Sequence, residues 1–303
     1  MPELPEVETI RIGLAKLLLG KTIKSVTFDW QKSFPNDQTQ VNKYLIGASL
    51  KSVNRRAKVL IIELSSHYSL VIHLKMTGQL VYKDKEVRFG AGHPSDSLIG
   101  HLPDKSTRVE IVFLGGSKLF FNDQRKFGWM RLVASELVMD MDFFKKVGPE
   151  PLQPSFTWQV LKQRLMRRKN SALKPVLLDQ SVIAGVGNIY ADESLWAARI
   201  NPLTKVGLLS DRKIKLLHQS LINVLVLSIA KGGSTDKNYV NAEGKRGSYI
   251  DFAKVFRRDG LPCPRCGREI VKIRVAGRGT HLCLFCQPDI KRKAFTKKIG
   301  TIN

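Results

Sequence analysis

The sequence predicts an α+β chain of two domains. A helix and an antiparallel β-sandwich come first, and a helical domain ending in a cysteine-bearing β-hairpin follows. Three observations predict it. Apolar residues recur at helical spacing near the N-terminus, then in short turn-bounded runs up to about residue 134. They return to helical spacing from Trp158 to Lys231. All four cysteines fall in two close pairs near the C-terminus.

Val7, Ile10, Leu14, Leu17 and Leu18 form the first helical stripe, with Pro5 near its start and Gly20 just past its end. The runs at 25–30, 58–64, 70–74, 79–82, 109–114, 118–122 and 129–133 are rich in Val, Ile, Leu and Phe and read as strands. Residues 1–134 are therefore expected to be one helix plus a sandwich, with 84–105 as a surface loop. Gly148-Pro149-Glu150-Pro151 and Pro154 punctuate the chain, so 135–154 reads as a linker. Leu161, Leu165, Leu173, Val176 and Leu177, then Leu216, Leu217, Leu221, Val224, Leu225 and Ile229, mark helices within 155–260. Around 231–250 the sequence turns polar and glycine-rich, and a mobile loop is expected. Residues 261–287 hold the cysteine hairpin. Residues 288–303, with Lys291-Arg292-Lys293 and Lys297-Lys298, are expected to be a flexible basic tail.

Of 303 residues, 43% are hydrophobic and 25% charged, which excludes wholesale disorder. Lys and Arg number 50 against 26 Asp and Glu, a formal charge of +24. Such an excess calls for a polyanionic partner, most simply nucleic acid, with an anionic membrane surface as the rival. No run of about 18 apolar residues is present to span a membrane. The basic residues are spread along the chain rather than gathered on one amphipathic helix. Met1-Pro2-Glu3-Leu4-Pro5-Glu6 lacks a basic stretch and an apolar core, so no secretory signal and a cytoplasmic location are expected.

Three motifs carry chemistry. Cys263-x2-Cys266 and Cys283-x2-Cys286 are separated by 16 residues, which is zinc-ribbon spacing. Four thiolates complete a tetrahedron around one structural Zn2+ and leave no position for substrate. Disulfides or free core thiols are the alternative. Between the pairs, 270–275 and 280–284 read as hairpin strands, with Arg278 flanked by glycines at the tip. Second, Gly185-Val186-Gly187-Asn188 precedes a helical stretch. Asn188 suits a cap, and Lys169 and Lys174 lie upstream, so the helix start can receive a phosphate or be a capped hairpin and nothing more. Third, Pro2 is small enough to permit removal of Met1. The freed secondary amine is a nucleophile toward an aldehydic carbon, and Glu3 and Glu6 stand beside it as acid, base or electrostatic partners.

Taken together these residues resemble the formamidopyrimidine-DNA glycosylase family of base-excision enzymes. The resemblance runs through Pro2-Glu3-Leu4-Pro5-Glu6-Val7-Glu8-Thr9, Arg55-Arg56-Ala57-Lys58, His73-Leu74-Lys75-Met76-Thr77-Gly78 and Asp123-Gln124-Arg125-Lys126-Phe127-Gly128. It continues through Gly148–Leu152, Gly185–Tyr190 and the cysteine hairpin. It implies a helix-two-turn-helix DNA-binding domain over 155–260 and a catalytic domain over 1–134. It implies a bifunctional glycosylase and abasic-site lyase that flips out oxidised purines, then nicks the strand by β,δ-elimination. Pro2 would attack C1′, Glu3 would protonate or stabilise the sugar, and Glu6 would support that site. Lys58 would grip a phosphate, and Met76, Arg125 and Phe127 would fill the gap left by the flipped base. Lys169 and Asn188 would hold backbone phosphates, and Arg278 would clamp those flanking the lesion. Read without the resemblance, Met76 and Phe127 are core side chains and Lys58 a solvated strand lysine.

The implied partner is damaged double-stranded DNA, met by a monomer with no protein partner and no membrane. One departure from the family pattern stands out. Ser106 and Arg108 occupy the places of a His-x-His pair, leaving Lys105 or Arg108 as substitutes for a phosphate contact. Two other functions remain open. One is a sister glycosylase for oxidised pyrimidines, in which Gly is typical where Leu4 stands. The other is a zinc-hairpin DNA-binding protein without catalysis.

Overall fold

The computed structural model describes residues 1–93, 95–234 and 249–289. The chain divides into two compact units, Met1–Lys145 with Ser228–Tyr249, and Lys146–Leu227 with Ile250–Asn303.

In the first unit, α1 (Leu4–Leu18) opens with Pro at its first turn, where a missing N–H costs no intrahelical bond. Glu6 faces the positive helix end. Its stripe of Val7, Ile10, Leu14 and Leu18 is buried. After β1 (Ile23–Phe28) and α2 (Gln38–Tyr44) come β2 (Leu50–Arg56), β3 (Val59–Leu64), β4 (Tyr68–His73), β5 (Gly78–Lys83) and β6 (Arg88–Gly92). The strands β7 (Thr107–Phe113), β8 (Lys118–Asp123) and β9 (Trp129–Ala134) complete two antiparallel sheets, ordered β1-β7-β8-β5-β6 and β2-β3-β4-β9. Alternate residues Leu60 and Ile62, Leu70 and Ile72, Leu80 and Tyr82, Ile111 and Phe113, and Leu119 and Phe121 belong to one core with α1.

The opposite faces are covered as well, which is why the runs read as almost continuously apolar. Val59 and Val71 pack with Val138 and Phe144, and Val81 and Phe120 pack with Leu98. So the segment expected to be a linker begins with a 3-10 turn, Ser135–Asp140, and α3 (Asp142–Lys146), both covering a sheet. The segment 84–105 is not all loop: it supplies β6 and the buried Leu98.

Two other elements, α2 and β2, are not evident from the sequence pattern. Helix α2 buries only Val41 and starts on an Asp37 side chain that accepts from Gln40 N–H. Strand β2 carries an irregularity between Leu50 and Ser52, so its buried residues, Leu50 and Val53, are three apart instead of two.

In the second unit, α4 (Trp158–Met166), α5 (Leu173–Leu178), α6 (Asn188–Ala197), α7 (Asp211–Ala230, its last residues from Ser228 counted with the first unit) and α8 (Tyr249–Phe252, its Tyr249 likewise) precede the hairpin of β10 (Val271–Val275) and β11 (Arg278–Leu282). Gly148 N–H donates to Gln180 O (2.8 Å), and Ala184 N–H donates to Pro149 O (3.0 Å). Helix α7 is long and apolar enough to cross a membrane by length and composition. Its Ile214, Leu217, Leu221 and Leu225 are buried, as on the core face of an amphipathic helix, whereas Leu216, expected on that face, is exposed and Val224 and Ile229 lie at its margin, half-buried. Most of the expected loop (235–248) and of the expected tail (290–303) lies outside the described residues.

Candidate active site and nucleic-acid interface

Three connections of the first unit leave the sheets at one end. Arg56 pairs with Val59 across the Ala57-Lys58 turn, Val59 faces His73, His73 faces Trp129, and Gly78 faces Asp123. Lys58, the segment 74–77 and the segment 124–128 therefore share that end. The start of α1 is tied there too. Glu8 pairs with Arg55 (2.8 Å), whose Nη1 donates to Ala57 O (2.9 Å).

Glu3 and Glu6 are both buried. Glu3 N–H donates to Glu6 Oε2 (2.8 Å), closing a capping box around the first turn. The other Glu6 oxygen, Oε1, accepts from the N–H and the hydroxyl of Ser234 (2.7 and 2.8 Å). Glu6 thus fixes both the N-terminal residues that lead into α1 and the residue that enters the Gly-rich segment. Ser234 is a site residue that sequence does not single out, because a polar residue in a Gly-rich run carries no periodic signal.

Lys58 is 4% exposed, so it is not a solvated strand lysine. Behind it, burial and then the charges of Lys75 and Lys58 push the His73 imidazole down to about 3. The ring stays neutral at working pH, and its Nδ1 accepts from Lys75 N–H (3.0 Å).

Met76 and Phe127 are 41% and 53% exposed, so neither is a core side chain. Asp123 holds the loops that carry them. One carboxylate oxygen accepts from the Thr77 hydroxyl and from Arg125 N–H (3.3 Å), and the other accepts from Gly128 N–H (2.6 Å). A Cβ at Gly128 would lie 2.9 Å from the Phe121 ring and 3.0 Å from that carboxylate, so glycine is required there. The Arg125 guanidinium sits 4.7 Å over the Phe127 ring. Asp123 is thus a positioning residue that was not expected from sequence, although it opens the motif containing Arg125 and Phe127.

In the second unit, Lys174 is not available to a phosphate. It is fully buried, pairs with Asp192 (2.7 Å), and donates to Gly279 O (3.0 Å) and Thr280 Oγ1 (2.7 Å). Asn188 is not the cap either. Gly187 holds that position, and Asn188 Nδ2 donates to Gly279 O (3.1 Å). Asp192 also accepts from His281 N–H (2.9 Å). Helices α5 and α6 thereby grip the first turn of β11, where Arg278 is exposed. The turn is only Ala276-Gly277, both with positive φ, and Val275 pairs directly with Arg278. Lys169 is exposed.

The Arg108 guanidinium is buried on Asp29 (2.6 Å), Ser106 O (2.9 Å) and Lys105 O. Of the two substitutes considered for the absent histidine, only Lys105 presents its side chain to solvent.

The four thiol sulfurs lie within 4.8 Å of one another. A tetrahedral ion with bonds of about 2.3 Å needs sulfurs roughly 3.8 Å apart, and the set fits it. Burial pushes the Cys263 thiol up. Hydrogen bonds from Arg265 N–H, Trp196 and Cys266 N–H outweigh it and bring the thiol down to about 6, whereas burial and the neighbouring thiols push Cys283 up and Cys286 up to about 12, so a metal that binds all four displaces protons from the set. Val255 and Ile270 pack around the cysteines, and Arg265 donates to Trp196 O (3.0 Å) at the end of α6. Cys283→Ser, or chelation, is expected to abolish DNA binding while far-ultraviolet circular dichroism retains the β signature of the first unit. Metal analysis should find one zinc per chain. Full DNA affinity of zinc-free protein would contradict this.

Three family descriptions match the chain in order. They are the formamidopyrimidine-DNA glycosylase N-terminal domain at residues 1–130, the H2TH domain of the same enzymes at 147–239, and the zinc finger found in FPG and IleRS at 260–288. The chain belongs to the formamidopyrimidine-DNA glycosylase family. It is 41% identical over 288 residues to the formamidopyrimidine-DNA glycosylase of Streptococcus pyogenes, covering 95% of this chain and 98% of that one. The Lactococcus lactis Fpg, solved in complex with an abasic site containing DNA, superposes with a TM-score of 0.82 at 35% identity, covering 95% of this chain and all of that one. The Thermus thermophilus protein gives 0.80 at 35% identity, covering 95% of this chain and 99% of that one. The family's architecture is the expected one: an N-terminal β-sandwich, a helix-two-turn-helix domain and a zinc finger carrying one structural zinc on the four cysteines.

Proposed function

We propose that this family member is a DNA-repair glycosylase and abasic-site lyase for oxidised purines, working through an N-terminal proline. The observation that carries the reading is the shared end of the first unit. It gathers the Glu3–Glu6 box beside Pro2, the Ala57-Lys58 turn, and the two loops presenting Met76 and Phe127. The relatives support the substrate class, since Lactococcus lactis Fpg has been solved with DNA containing Fapy-dG and with DNA containing an abasic site.

A base inside a duplex is out of reach, so extrusion comes first, at an unstacking cost of a few kcal/mol. Met76 and Phe127, exposed on loops pinned by Asp123, fill the vacated stack, and Arg125 stacks on Phe127. After Met1 removal the Pro2 secondary amine attacks C1′. The glycosidic bond breaks, and the base leaves with the bonding pair and takes up a proton. Glu3 protonates the sugar ring oxygen, and the ring-opened sugar becomes an iminium on Pro2. Glu6 is already committed to Glu3 N–H and Ser234, so its role is positioning. The iminium draws electrons as C2′ loses a proton and the 3′ C–O bond breaks. Lys58 and Arg278 hold phosphates beside the lesion, and Arg278 assists the second, δ, elimination. Lys169 and Asn188 contact the backbone further along. The formal charge of +24 supplies salt-dependent binding to undamaged DNA. The enzyme acts as a monomer.

A lesion panel under single-turnover conditions tests the substrate. Incision at 8-oxoguanine should exceed incision at an oxidised pyrimidine, and the reverse order would move the enzyme to the sister specificity. In the same assay Met76→Ala and Phe127→Ala should slow excision of 8-oxoguanine by about tenfold or more, the equivalent of 1.4 kcal/mol. They should affect an abasic site less, because less unstacking is needed there. Equal losses on both substrates would refute the wedge role.

A further inference from the structure

The strands that end at the candidate site have a second end, and a cavity lies there. Gly78 faces Asp123 at the active end of the β5–β8 pair, and Lys83 faces Lys118 at the other. The cavity holds about 470 Å3, within the range of roughly 300–1,000 Å3 typical of small-molecule sites. Four lysines line it: Lys21, Lys83, Lys85 and Lys118. Leu102, Leu114 and Phe120 add apolar surface.

Three features are unexplained by folding. Lys83 and Lys118 are direct cross-strand neighbours of like charge, an arrangement that destabilises a sheet. Only Lys118 is relieved, by Glu110 at 2.8 Å. Lys83 and Lys85 are exposed and have no ion pair among the described residues. Ser117 lines the same cavity at 4% exposure, and its hydroxyl has no hydrogen-bond partner, which is costly for a buried polar group. The cavity's two acids offset only half of the lysines' charge. Asp84 is held as the carboxylate by Val87 N–H (2.6 Å), the Tyr82 hydroxyl (2.8 Å), Glu86 N–H (2.8 Å) and the nearby Lys21, and Glu86 is solvent-exposed, so four lysines against two acids leave a formal charge of +2.

We propose that this cavity binds a nucleoside diphosphate, with the diphosphate on Lys83, Lys85 and the Ser117 hydroxyl and the base on Leu102, Leu114 and Phe120. Concavity and the apolar floor favour a small ligand over a second DNA segment, whose phosphates need only a charged surface. The ligand neutralises the Lys83–Lys118 repulsion and satisfies the buried hydroxyl.

Calorimetric titration of the full-length zinc protein with ADP and with inorganic pyrophosphate tests this, with and without a saturating undamaged duplex. One ADP per chain should bind, unaffected by the duplex, and about tenfold more tightly than pyrophosphate because of the apolar floor. Lys83→Ala with Lys85→Ala should weaken ADP by about tenfold or more, and Ser117→Ala by roughly threefold to tenfold. Thermal denaturation checks that each variant folds, and lesion incision should be unchanged in all of them. Absence of saturable ADP binding would overturn the proposal, as would displacement by the duplex or equal affinity for ADP and pyrophosphate. Loss of duplex affinity in the double-lysine variant without ADP binding would mark a DNA contact instead and overturn it too.

Discussion

Glu3→Gln should lower base excision by about two to four orders of magnitude, the size of a missing general acid, and leave DNA affinity nearly intact. The amide keeps the shape of the carboxyl and removes its proton donor. Glu3 is buried at the head of α1, and its backbone N–H, which the substitution preserves, is what Glu6 accepts. The helix start should therefore survive, and melting temperature should change little. Single-turnover excision of 8-oxoguanine, beside binding to the same duplex, separates the two effects. Retained excision would remove Glu3 from the mechanism.

Arg278→Ala should cut lesion cleavage by more than the removal of one phosphate-neutralising charge explains. Its anchorage is the reason. The next residue, Gly279, gives its carbonyl to both Lys174 and Asn188, and Lys174 is itself paired with buried Asp192. A guanidinium at the start of a strand so held is preorganised for bidentate phosphate binding. Arg278→Lys keeps the charge without the fork and should rescue little. Truncation after Gln287 is the contrast. It should flatten the salt dependence of binding to any DNA, by up to roughly 0.9 in log–log slope for each phosphate no longer neutralised, and spare saturated single-turnover cleavage. Normal cleavage by Arg278→Ala, or failure of cleavage on truncation, would contradict this division.

The elements that sequence made legible are those with a clean period or fixed spacing. The α1 stripe, the strands β3, β4, β8 and β9, and the cysteine pairs are of this kind. Strand β2 was hidden by its irregular register, β6 by two glycines in five residues, and α2 by having one buried side chain. Loop 124–128 was legible as a motif, and its exposed Phe127 became intelligible only through Asp123, whose three hydrogen bonds span residues 77 to 128. Lys174 departs from expectation for a related reason. A lysine upstream of a glycine turn looks like a phosphate ligand, yet its partners, Asp192, Gly279 and Thr280, lie up to 106 residues away. Sequence shows the residue types that chemistry needs. It does not show which of them folding has already used.

The proposed chemistry turns on the amine of Pro2 becoming covalently bonded to C1′. Borohydride reduction during reaction with an 8-oxoguanine duplex, followed by mass spectrometry of the digested adduct, tests it most directly. A mature chain lacking Met1 and a single sugar adduct on the Pro2 nitrogen are expected, the adduct being abolished when that nitrogen is blocked by acetylation. An adduct on Lys58 or another lysine, or full trapping by a chain with a blocked N-terminus, would contradict it.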